Sequence, residues 1–129
     1  MPMSDLVLTR VQYMLLSVAL HDEEPLHVLY CDIMREVKGA TLEAILEALV
    51  QLVNAGLMTC HYLNYKTHTR DARKTLTLQE LAQHCAGRTP RDLAKYPVRG
   101  GEYEFRTTQK GELEVCKDVY YDAYHVEGR

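Results

Sequence analysis

The chain has no tryptophan, a single phenylalanine and only two serines among its 129 residues. Neither Ser4 nor Ser17 stands in the glycine-flanked elbow that presents a nucleophilic serine, so catalysis of that kind is not expected. No glycine-rich loop has the spacing that cradles phosphate, and Gly100-Gly101 reads as a turn. The four cysteines, Cys31, Cys60, Cys85 and Cys116, form no Cys-x-x-Cys pair, and each falls in an apolar stripe. They read as small buried hydrophobes, not as a disulfide framework or a zinc site. Cys60-His61 and His84-Cys85 offer thiol and imidazole together, but neighbours on a strand point to opposite faces and do not share one ion. No metal, no cofactor and no enzymatic activity are therefore expected. Apolar stretches are broken well before 18 residues, so no membrane-spanning helix is expected. Residues 1–6 lack the basic region and small-residue cleavage site of a secretory signal, and the expected location is cytoplasmic.

What is present is enough for one domain, residues 1–129, which at this length buries roughly two thirds of its unfolded surface without a staple. The hydrophobic share of 47% and charged share of 26% are those of a globular chain and not of a disordered one. The net charge of −3 conceals a segregation. Residues 1–65 hold three basic against eight acidic side chains, residues 66–110 ten against five, and residues 111–129 two against five. Any polyanion would be felt in the middle third.

Apolar positions Leu8, Val11, Leu15 and Val18 step by three and four, which predicts a first helix from Asp5 to about Leu20. His21 to Pro25 ends it. A second helix is expected over Leu26–Val37, with Leu26, Leu29, Ile33 and Val37 inward. Lys38-Gly39-Ala40 then makes a tight turn and Thr41 caps a third helix. That helix turns Leu42, Ile45, Leu46, Leu49 and Val53 inward and Glu43, Ala44, Glu47, Ala48, Gln51 and Asn54 outward. Strands are expected over Leu57–Tyr65 and Glu102–Thr107, followed by a single closing helix through Tyr124. Between the strands lies an insertion, about residues 66–101. In it Thr77-x-x-Glu80 is a capping box opening a helix with Leu78, Leu81, Ala82 and Cys85 on one face, and Thr89-Pro90 opens a shorter helix to about Tyr96.

Two segments carry a resemblance. Leu49-x-x-Leu52-Val53-x-x-Gly56-Leu57-Met58 resembles the end of a winged-helix recognition helix entering its wing. Tyr103-x-Phe105-Arg106-Thr107-Thr108-x-x-Gly111 is similar to the motif where the wing returns into the closing helix. Bacterial regulators of the PadR and MarR sort share both. Together with the order of elements, the resemblance covers residues 5–65 and 102–125. It implies an α+β, mainly α, winged helix-turn-helix with a helical insertion between its wing strands. It also implies a homodimeric transcriptional regulator that lays its third helix in the major groove of duplex DNA and its wing on the backbone. Within the insertion, residues 77–93 are themselves similar to a helix-turn-helix pair, against the simpler reading of a helical decoration.

The residues set a second reading beside that one. The outward face of the third helix carries Glu43 and Glu47 and no arginine or lysine, whereas phosphate attracts cations and guanine is read by them. Lys38, Thr41 and Gln51 on the helix-turn-helix, with Lys66, Arg70, Arg73 and Lys74 beside the first wing strand, are the candidate nucleic-acid contacts. Leu8, Val11, Val119, Tyr120 and Tyr124 are the candidate dimer interface, since tyrosines suit a surface that is half apolar and half wet. The alternative is a winged-helix protein-interaction module without DNA binding. If Lys66, Arg70, Arg73 and Lys74 share a face with the start of the third helix, the duplex reading gains; if they lie on opposite sides, it loses.

Overall fold

The structure, a computed structural model, describes residues 7–88, 92 and 100–125, with His125 by its backbone alone. The expected helix over Thr89–Tyr96 lies outside the described residues apart from Asp92. Among the described residues the fold is α+β, with six helices and one four-stranded antiparallel sheet. The helices are α1 (Arg10–Val18), α2 (Leu26–Glu36), α3 (Leu42–Asn54), α4 (Leu78–Cys85), α5 (Gln109–Val115) and α6 (Asp118–His125). The strands are β1 (Glu24–Pro25), β2 (Met58–Asn64), β3 (Thr69–Arg73) and β4 (Gly101–Thr107), in the order β1-β4-β2-β3. No described helix is long and apolar enough to cross a membrane.

Local chemistry sets the helix ends. Thr9 and Gln12 form a capping box that starts α1 later than expected, leaving Leu8 in the core just ahead of it. Thr41 accepts from the Ala44 amide at 3.1 Å, and Thr77 and Glu80 form the expected box on α4. Gly39 closes α2 at φ +83°, a left-handed conformation that costs an ordinary L-residue about 1–2 kcal/mol. A Cβ there would touch nothing within 4 Å, so the backbone alone bears the strain. Gly39→Val should therefore lose about 2 kcal/mol in denaturant unfolding. An unchanged midpoint would mean that the turn relaxes to a right-handed form.

The core is one cluster in which α1, α2 and α3 supply Leu15, Leu16, Leu29, Ile33, Ile45 and Leu49, all buried. Phe105 and Cys60 cover it from the inner face of the sheet, and Leu76, Leu81 and Cys85 join it from the insertion. Burial pushes the Cys60 thiol up to about 12 and the Cys85 thiol up to about 11, as befits thiols acting as hydrophobes. Strand β4 is tied to the helical layer by Thr107, whose amide donates to Ala19 O at 3.0 Å and whose hydroxyl donates to Leu16 O at 2.7 Å.

Three expectations are corrected. The insertion is not purely helical, because Thr69–Arg73 forms β3 and pairs with β2 from Cys60↔Arg73 to Asn64↔Thr69. The strands β2 and β4 nonetheless pair as expected, from Met58↔Thr107 to Asn64↔Gly101. The closing helix is two helices, broken at Cys116 and Lys117, which lets α6 fold back toward α1. Ala48, expected outward on α3, is only 4% exposed because α1 lies across it.

Candidate functional site

The face of α3 that a reading helix would present runs between α1 and α4. On the α4 side a trough of about 470 Å³ is bounded by Thr41, Glu43, Ala44 and Glu47 of α3 and by Leu78 and Ala82 of α4. On the α1 side a second trough of about 300 Å³ lies between Thr9 and Val11 and the α3 residues Ala44, Glu47, Ala48 and Gln51. The two share Ala44 and Glu47, so the crest of α3 rises between them. Amphipathicity explains how α4 comes to form one wall. Its Leu81 and Cys85 enter the core, while Leu78 and Ala82 on the neighbouring arc stay exposed and line the trough.

The polar ends of α3 are engaged within the chain. Gln51, a candidate for base contact, accepts from the Gln12 side-chain amide at 2.6 Å. Asn54 uses both amide atoms on Leu76, donating to its carbonyl and accepting from its amide at 2.9 Å each. That pair fastens the insertion to the end of α3. Thr41 is exposed but occupied as the N-cap, and Lys38 is exposed in the turn before it.

The basic cluster of the insertion does not form one surface. Residues 70 and 73 lie on opposite faces of β3 by the alternation of a strand. The Arg70 guanidinium pairs with Glu23 and lies 3.4 Å from His61 Nδ1, which is itself 3.3 Å from the same carboxylate. Arg73 pairs instead with Glu80 of α4. Lys66 and Lys74 are exposed, one in the turn of the β2–β3 hairpin and the other just past β3.

Beneath α4 lies a cluster that the sequence did not disclose. Glu102, 2% exposed at the start of β4, accepts from His27 Nδ1 at 2.9 Å and sits 3.4 Å from His84 Nε2. The His84 ring meets Tyr103 edge-on at 4.9 Å, and Tyr103 lies 4.8 Å from Tyr62. One buried carboxylate thus joins α2, β4 and α4. Among the described residues, no group of three or more His, Cys, Asp or Glu is arranged to hold a metal ion.

The candidate dimer residues meet each other inside one chain. Tyr120 is fully buried, its hydroxyl accepting from the Val7 and Leu8 amides at 3.3 Å and donating to Glu114. Burial, and then the bond to Glu114, holds the Tyr120 phenol above its usual range, while that bond holds Glu114 below the usual carboxylate range. Tyr124 donates to Leu8 O at 2.7 Å, and its ring stacks parallel to that of Tyr120. Val11, Val119 and Tyr124 are partly buried against the core, leaving Leu113 and Tyr121 as the exposed large apolar side chains of α5 and α6.

Compared with known proteins, the chain matches no family model, no curated protein and no solved structure.

Proposed function

We propose that this chain is a winged-helix domain whose third helix serves a protein partner and not the major groove of duplex DNA. The order of elements and the turn at Gly39 support the winged-helix part of the reading, with β2 and β4 as wing strands and α4 an added wall. The observation that carries the functional part is the position of α4 beside the first half of α3, where Leu78 and Ala82 face Thr41–Glu47 across one trough. An α-helix with its side chains is about 10–12 Å across and the major groove about 12 Å wide, so a reading helix fills the groove and needs both flanks clear.

Electrostatics supports the same choice. Glu43 and Glu47 would face phosphate, and the two arginines of the hairpin already neutralise Glu23 and Glu80. Of the candidate contacts, Lys38, Lys66 and Lys74 remain as exposed cations with no ion-pair partner among the described residues. Fluorescence anisotropy of a labelled duplex, titrated with the chain at several salt concentrations, separates the two. The expected result is no saturable binding at about 0.15 M salt, where counterion release still leaves DNA-binding domains measurable affinity. Binding whose logarithm falls linearly with that of salt, with a slope reduced by Lys66→Ala and Lys74→Ala, would overturn the proposal.

A further inference from the structure

Glu43 and Glu47 stand one turn apart on α3, both exposed, and neither has an ion-pair or hydrogen-bond partner among the described residues. Glu23, Glu80, Glu102 and Glu114, by contrast, each meet a cationic or imidazole group. Like charges four residues apart destabilise a helix by a few tenths of a kcal/mol; the helix dipole favours Glu43 in the first turn of α3 but gives Glu47, a turn further on, no such support. On the α4 side of the crest, Ala44 lines the trough together with Leu78 and Ala82, and Leu78 is 42% exposed.

We infer that the trough between α3 and α4 takes an amphipathic helix of a protein partner, its aliphatic stripe seated over Ala44 against Leu78 and Ala82, with lysine or arginine beside the stripe pairing with Glu43 and Glu47. The inference rests on the protein-interaction reading above and names its partner's chemistry. The walls are helices with no free strand edge, so an extended peptide would find no backbone to bond; a helix needs only the apolar floor. Two alanines in its lining, Ala44 and Ala82, let a second helix approach closely. From Thr41 to Glu47 the trough is about 9 Å long, the reach of nearly two helical turns. Its charge selects the flanks. Two carboxylates outweigh Lys38 in the adjoining turn, favour a basic partner and repel nucleic acid and anionic lipid.

The test uses the whole chain and a displayed library of helical peptides with a fixed aliphatic i, i+3, i+4, i+7 stripe and randomised flanks. Selected peptides are then measured against the wild type and against a Glu43→Lys, Glu47→Lys double variant, whose changes are at exposed sites. Peptides rich in lysine and arginine are expected, perturbing the amide resonances of residues 41–47 and 78–82. The double variant should weaken them by about tenfold or more, and peptides with their flanking charges reversed should bind that variant in preference. Peptides that map to the groove without a basic excess, or that ignore the double variant, would overturn the basic-partner inference and leave the interaction reading standing. Failure to select any groove-dependent peptide, with salt-dependent duplex binding in the anisotropy experiment, would overturn both.

Discussion

Gly111→Ala should destabilise the domain by about 2 kcal/mol or more, although alanine is the better helix former. Gly111 lies in the first turn of α5, where exchanging glycine for alanine would by propensity alone gain about 1 kcal/mol. The surroundings reverse the sign. A Cβ at Gly111 would lie 2.3 Å from the Leu57 carbonyl oxygen and 2.7 Å from Thr107 Cγ2. The first obstacle is backbone and has no rotamer to change, so α5 must shift. It is held in place by Thr108, whose amide donates to that same Leu57 oxygen at 3.0 Å and whose hydroxyl donates to Gly56 O at 2.8 Å. Overpacking of this kind costs about 1–3 kcal/mol and sometimes more, enough to exceed the propensity gain. Equilibrium denaturation checks it, and a stabilised variant would show that α5 slides without loss.

Glu102→Ala should have an effect of similar size for a different reason. It removes the buried carboxylate that His27 and His84 share, leaving two imidazoles without their partner. Breaking a buried polar pair by deleting one side costs about 3–5 kcal/mol; partial exposure of His27 places the expectation near 3 kcal/mol. Because His84 is on α4, amide exchange in α4 should accelerate more than in α2 or α3. A companion variant, Glu102→Leu with His84→Phe, replaces polar groups on both sides by apolar ones and should recover much of the loss. Unchanged stability and exchange in Glu102→Ala would show that the carboxylate does not hold the insertion down.

Both residues bear on how much of the molecule could be read in advance. Gly111 was visible as the last residue of the Tyr103–Gly111 segment, and the approach of the Leu57 carbonyl supplies its physical reason. Glu102 was not visible. It reads as a polar residue of an alternating strand, and nothing near it announces His27, 75 positions earlier, or His84, 18 positions earlier. β3 escaped notice because both its faces are largely open to solvent, so its residues carry no alternation to detect. The walls of the candidate groove were legible one at a time, as the amphipathic α3 and the capped α4, but not the way they meet.

The sequence by itself determined what depends on near neighbours. The threonine caps at residues 41 and 77, the turn at Gly39, the inward stripes of α2 and α3, and strands β2 and β4 all follow from chemistry acting within a few residues. Only the tertiary structure decided which surfaces remain for a partner. It brought α4 beside α3, engaged Arg70 and Arg73 with Glu23 and Glu80, folded Tyr120 into the chain's own core and left Glu43 and Glu47 bare. The reason is that a side chain's availability depends on groups dozens of positions away, set beside it by packing that no local pattern records.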